Sequence, residues 1–189
     1  MITRCILGSQ SPRRKQLMET MGFPFEVMVS DAEEDFPETM PVREVACFVA
    51  TKKAKVLLPF IPDHSVLVTA DSTVICGGKI YNKPENREEA IQMLTDLSGQ
   101  EHEVVTGVWI GHHKEEVFFS ESTFVTFAEL STEETEYYVD NYKPYDKAGA
   151  YGIQDWIGTT SVISIKGSYN NVMGLPTHAV YKILKKYFK

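Results

Sequence analysis

Residues 3–14 read Thr-Arg-Cys-Ile-Leu-Gly-Ser-Gln-Ser-Pro-Arg-Arg. The apolar run predicts a short strand over residues 3–8, and the residues after it predict a helix. Ser11 suits the N-cap, where a side-chain oxygen satisfies an orphan backbone N–H, and Pro12 suits the first helical position, where a missing N–H costs nothing. The helix should bury Leu17 and Met21 and stop at Gly22, which tolerates a left-handed terminus.

The rest of the chain keeps alternating the two kinds of element. Residues 24–29 (PFEVMV) predict a second strand, followed by an acidic loop over 30–39. Val42, Val45, Ala46, Val49, Lys53 and Leu57 keep near-helical spacing, so a helix is expected over about 41–57, with Lys53 at the edge of its apolar face. Residues 65–70 form an apolar strand with Asp71 at its C-terminal end, and residues 73–82 a hairpin turning at Gly77-Gly78. Asn86 with Glu89 starts a third helix, with Ala90, Met93, Leu94 and Leu97 as its inner stripe. Two long strands then flank a turn at 111–114. Ser131 and Glu134 form a capping box that opens a helix to about Asn141. A glycine-rich loop covers 145–158, a strand 161–165, and a terminal helix begins at Pro176 and carries Val180, Ile183, Leu184 and Phe188. Hairpins mixed with crossovers predict an α/β protein with a mixed central sheet and flanking helices.

At 189 residues the chain suits one domain, 1–189, or two closely joined lobes, and 43% hydrophobic residues are enough for a core without staples. The net charge of −7 argues against a broad nucleic-acid-binding surface but leaves room for a local pocket for one small anion. Cys5, Cys47 and Cys76 are odd in number and lack ligand spacing, so neither a disulfide framework nor a zinc site is expected, and a reducing cytoplasm fits best. The start MITRCILGS lacks the apolar segment of a signal peptide, and no apolar run approaches the roughly 20 residues of a membrane helix, so no membrane partner is expected.

Four places carry residue types suited to chemistry. The turn at 8–14 joins free helix N–H groups to the hydroxyls of Ser9 and Ser11 and the guanidinium forks of Arg13 and Arg14, a set suited to phosphate. It equally suits an ordinary solvated helix start, and it is not a Walker A loop. Asp71 and Ser72 follow an apolar strand, where a carboxylate can hold a divalent ion or polarise water, or simply cap its own turn. Glu33, Glu34 and Asp35 offer further oxygens. Lys83-Pro84 and Lys53 are weaker signals, each also readable as surface charge. In Asp146-Lys-Ala-Gly-Ala-Tyr-Gly-Ile-Gln154, the glycines allow close approach, Tyr151 can stack on a base, and the Gln154 amide can pair with a base edge. His112 and His113 are expected as exposed turn residues, and His102 and His178 fit no ligand set.

These blocks stand in a telling order. Leu7-Gly-Ser-Gln-Ser-Pro-Arg-Arg14, Ala70-Asp-Ser, Asn82-Lys-Pro, Leu97-Ser-Gly-Gln-Glu-His-Glu-Val-Val-Thr-Gly107, Asp146 to Gln154, and Gly167-Ser-Tyr-Asn-Asn-Val-Met-Gly-Leu-Pro176 together resemble the Maf family of nucleotide pyrophosphatases, nearly end to end. The resemblance implies an α/β fold with two lobes around a deep cleft, similar to the inosine-triphosphate pyrophosphatases. It also implies cleavage of a nucleoside triphosphate to monophosphate and pyrophosphate with a divalent cation, magnesium or manganese. The family's catalytic carboxylate falls on Asp71. Its second acidic residue falls on Glu34 or the adjacent Glu33, with Glu34 the better match. Its phosphate-binding residues fall on Ser9, Arg13 and Arg14, and its lysines on Lys53 and Lys83.

The DKAGAYGIQ block resembles the branch acting on dTTP and UTP, in which specificity falls on positions matching Arg13, Ser72 and Gln154. Ser72 stands where threonine is usual, and Gly8 where alanine is more common. The resemblance further implies that Asp71 orients or deprotonates a water aimed at the α-phosphorus. Its rivals are a 7-methyl-GTP pyrophosphatase, a non-catalytic nucleotide-binding regulator of septum formation, and a generic phosphatase. A homodimer is compatible with the family.

Overall fold

The computed structural model describes residues 2–188. A seven-stranded sheet runs in the order β2-β1-β3-β5-β6-β7, with β4 paired to β3. The strands are β1 (Arg4–Leu7), β2 (Phe25–Val27), β3 (Ser65–Cys76), β4 (Lys79–Tyr81), β5 (Glu101–His112), β6 (Glu115–Phe127) and β7 (Val162–Lys166). The helices are α1 (Pro12–Met21), α2 (Val45–Leu57), α3 (Arg87–Leu97), α4 (Thr132–Tyr142), α5 (Trp156–Thr160), α6 (Tyr169–Met173) and α7 (Thr177–Tyr187). β1 pairs in parallel with β2 and β3, while β3/β4 and β6/β7 are antiparallel, so the sheet is mixed as expected. The chain divides into two compact units: Met1–Asp71, Thr106–Glu121 and Gly174–Lys189 form the first, Ser72–Val105 and Ser122–Met173 the second.

In the first unit, Cys5, Ile6 and Leu7 of β1 are all buried, the mark of a strand covered on both faces. Ile6 and Leu67 pack with Ala54, Leu57, Ile61 and Trp109 into one apolar cluster. α2 lies so close to β5 that a Cβ on Gly107 would sit 2.1 Å from the Cys47 backbone nitrogen, which is why no side chain is tolerated there. α1 begins and ends as the sequence predicts: the Ser11 hydroxyl accepts the Arg14 backbone N–H at 3.4 Å, and Gly22 caps the C-terminus at φ +77. Its buried face is Arg14, Leu17 and Met18 rather than Leu17 and Met21, because the i, i+3, i+4 stripe that meets the sheet starts one turn earlier.

Two further expectations need correction. α2 starts at Val45, not near 41: residues 42–44 form a turn closed by the Glu44 N–H on the Pro41 carbonyl, and no side chain caps the helix. β3 does not end at Asp71 but runs on to Cys76, because the β-branched residues Thr73, Val74 and Ile75 continue the strand and β4 pairs with its far half. Asp71 therefore lies within a strand and not at its end.

In the second unit, Gly77 (φ +57) and Gly78 (φ +78) make the tight β3–β4 turn. Asn86 caps α3 by accepting the Glu89 N–H, but the Glu89 carboxylate reaches the Glu85 N–H instead of completing a box. The full box forms at Ser131 and Glu134 on α4. Arg87 joins the two helices with a bidentate pair to Asp140, at 2.6 and 2.9 Å. The span 145–158 is not one open loop: it holds a 3-10 turn at Ala148–Ala150 and the start of α5.

His102 is buried, with its Nε2 2.8 Å from the Tyr151 hydroxyl and its ring edge-on to Phe127 and Tyr151. Burial pushes its pKa down to about 4, so the folded protein holds it neutral. The unfolded chain takes up a proton near pH 6.5 that the folded chain refuses until about pH 4. The stability from this group is thus complete above pH 6.5 and declines as pH falls to 4, by about 3 kcal/mol in all. Urea unfolding at pH 7, 5 and 4 checks this: His102→Gln should flatten the acid slope, and identical slopes would contradict it.

Candidate active site

The turn after β1 delivers Ser9 and the first turn of α1. The Ser9 hydroxyl oxygen accepts the Ser11 N–H at 3.2 Å and an Arg14 guanidinium N–H at 3.3 Å. With its oxygen held by two donors, its own O–H is left to point at an acceptor such as a phosphate. Arg14 is buried, and its Nε donates to the Gly174 carbonyl at 2.8 Å. Gly174 has φ +116, a backbone that favours glycine, so the segment before α7 aims its carbonyl at Arg14 without strain. Burial pulls the Arg14 pKa down, Asp71 and Glu34 push it back up, and the like charge of Arg13 pulls it down again. A guanidinium remains charged throughout, so a fixed cation faces two carboxylates at the start of a helix. Arg13 is half-buried in the same turn.

Lys53, on α2, is the hub of the acidic side. Its ammonium donates to Asp71 Oδ1 and to Glu34 Oε1, 2.7 Å each. The Lys53 and Asp71 side chains are only 12% and 14% exposed, so this pair is shielded from solvent, whereas Glu34 lies at the surface. Of the acidic run it is Glu34 that reaches Lys53, while Asp35 pairs with Lys52. Two carboxylate oxygens thus converge on one cationic nitrogen. Among the described residues no group of three or more His, Cys, Asp and Glu comes together.

Within the first unit the structure thus gathers Ser9, Arg13, Arg14, Glu34, Lys53 and Asp71. Ser72, half-buried, comes next after Asp71 on β3 and opens the second unit. Lys83 and Gln154 belong to that unit, both exposed: Lys83 two residues beyond β4, Gln154 just before α5. The loop carrying Gln154 is tied to the β4 end by the Gly149 N–H on the Asn82 carbonyl, 3.2 Å.

Tyr151 does not serve as an exposed stacking ring. It is buried against His102 and Phe127, because a ring flanked by Ala150 and Gly152 fits inside the unit. His112 is half-buried edge-on against Tyr187, so only His113 of the pair is an exposed turn residue. A Cβ on Gly8 would lie 2.6 Å from a Thr69 and 2.7 Å from a Leu57 side-chain atom. Sequence reasoning missed the Gly174 carbonyl and the buried Tyr138. The only sequence signal for the first was the Gly-Leu-Pro step before α7.

Fold and site define an α/β protein with a buried arginine and a half-buried lysine–carboxylate group beside a helix start. The Maf-like protein family model matches residues 4–187, and the chain belongs to the Maf family. It is 47% identical to a dTTP/UTP pyrophosphatase of Porphyromonas gingivalis over 187 residues, 97% of this chain and 94% of the relative. Its identity to a dTTP/UTP pyrophosphatase of Parabacteroides distasonis is 44% over 97% of this chain and 96% of that one. A Staphylococcus aureus Ham1 protein superposes with a TM-score of 0.52 at 14% identity, covering 97% of this chain and 98% of that chain. A HAM1 protein from Coxiella burnetii gives 0.51 at 12%, covering 98% and 100%. These two likenesses bear on fold alone. No described helix is long and apolar enough to cross a membrane.

Proposed function

We propose that the chain hydrolyses dTTP and UTP to the nucleoside monophosphate and pyrophosphate. The observation that carries this reading is the Lys53 ammonium held between Asp71 and Glu34, beside the buried Arg14 and the Ser9 hydroxyl. A triphosphate needs both halves of that arrangement: fixed cations for its oxygens and a carboxylate to direct water. The relatives named dTTP/UTP pyrophosphatase support the choice of nucleotide.

Asp71 orients the attacking water or accepts its proton, aimed at the α-phosphorus. Arg13, Arg14 and Lys83 stabilise charge on the departing pyrophosphate, and Lys53, once released from its carboxylates, adds to them. A magnesium or manganese ion would be held by Asp71 and Glu34, and would supply neutralisation of the phosphate oxygens. Gln154 reads the base edge, and Ser72 and Arg13 contribute to the choice of base. Pairing with a polar edge discriminates strongly, because a wrong base leaves desolvated groups unpaired.

The test is turnover of dTTP, UTP, CTP and 7-methyl-GTP with pyrophosphate detection, with and without magnesium. dTTP and UTP should exceed CTP in kcat/KM by about ten-fold or more, in line with a site that hydrogen-bonds the base. Preference for 7-methyl-GTP would reassign the substrate. Tight nucleotide binding without turnover would favour a regulator of septum formation instead.

A further inference from the structure

We propose that Tyr138 is the specificity-positioning residue of this chain: its hydroxyl fixes the turn that presents Gln154. The inference rests on Gln154 reading the base. Tyr138 is fully buried on α4. Its O–H donates to Asp155 Oδ2 at 2.7 Å, and its oxygen accepts the Gly152 N–H at 3.0 Å. One hydroxyl therefore grips both ends of the four-residue turn 152–155, which is also closed by the Asp155 N–H on the Gly152 carbonyl at 3.0 Å. Inside the turn Ile153 is buried and Gln154 is exposed, so clamping the ends sets where the amide points.

Two details show that the clamp is specific. Asp155 is the N-cap residue of α5, a position where an aspartate side chain ordinarily accepts a helix N–H. Here it makes no capping bond and its carboxylate turns to Tyr138 instead. Residue 152 also packs on that carboxylate so closely that a Cβ would lie 2.4 Å from Asp155 Oδ2, so any side chain there would have to push the carboxylate aside. Lys147, bonded to Asp146 at 2.7 Å, lies 3.9 Å from the same Asp155 oxygen and balances its charge.

Tyr138→Phe keeps the ring, which stacks on Tyr142, and removes the clamp. The readout is the ratio of kcat/KM for dTTP to that for CTP, measured in the wild type, Tyr138→Phe, Gln154→Ala and the double variant. A purely structural loss would lower both substrates together and leave the ratio unchanged. The expected result is a five-fold or greater fall in the ratio for Tyr138→Phe, carried mainly by KM for dTTP, with no further fall in the double variant. If Gln154→Ala lowers the ratio and Tyr138→Phe does not, the positioning role is overturned while base reading stands. If Gln154→Ala leaves the ratio unchanged, base reading itself fails and the inference with it. Should Tyr138→Phe not fold, Asp155→Ala removes the bond at one end of the clamp and must also lower the ratio, and an unchanged ratio there overturns the proposal.

Discussion

Asp71→Asn should lower kcat for dTTP by about a thousand-fold or more, at an unchanged fold. The substitution is isosteric, and Lys53 keeps its second partner, Glu34, at 2.7 Å. The folded state should lose about 1–3 kcal/mol, because the Lys53–Asp71 pair is shielded from solvent but the amide oxygen can still accept from the ammonium. The chemical step should lose far more. A positioned carboxylate acting on water contributes about 10²–10⁴-fold, and the same group's share in holding a cation adds to that. An amide neither accepts the proton nor carries the charge. Steady-state kinetics with magnesium, alongside a thermal melt, separate the two effects. Near-normal pyrophosphate release from a well-folded variant would remove Asp71 from the chemistry.

The second large effect falls on Arg14. Arg14→Lys keeps the charge but replaces a planar fork, whose Nε and Nη1 reach the Gly174 carbonyl and the Ser9 hydroxyl, by one nitrogen that does not reproduce that spacing. Loss of one preorganised donor to transition-state charge typically costs about 10²–10³-fold, so kcat/KM for dTTP should fall about a hundred-fold. Stability should also fall, by about 1–3 kcal/mol, because the buried Gly174 carbonyl would lose its donor. Kinetics within about three-fold of wild type would mean that the guanidinium serves packing and not phosphate.

Much of this is legible in the sequence, for identifiable reasons. The Ser11 cap, the Gly22 stop, the Ser131–Glu134 box and the Gly77-Gly78 turn are local devices whose geometry depends on neighbours in the chain, and the structure has each in place. The run through Asp71 misleads because a carboxylate looks like the end of a strand. Only the pairing of β3 with β4 keeps it inside one, and that partner is invisible to periodicity. The acidic run offers Glu33, Glu34 and Asp35 as near equals. What distinguishes Glu34 is its reach to Lys53, 19 residues along the chain. Tyr151 reads as exposed because aromatic residues between glycines often are. Its burial depends on His102, 49 residues away. The Arg14–Gly174 bond spans 160 residues and lies beyond any local rule. Local chemistry is readable; the long-range contacts that aim it are not.

Attack of water on the α-phosphorus of dTTP is checked by hydrolysis in oxygen-18 water. After one round of hydrolysis with magnesium, the label should appear in dTMP, with unlabelled pyrophosphate as the co-product. Label in pyrophosphate, or release of labelled orthophosphate with dTDP, would place the attack on the β- or γ-phosphorus instead.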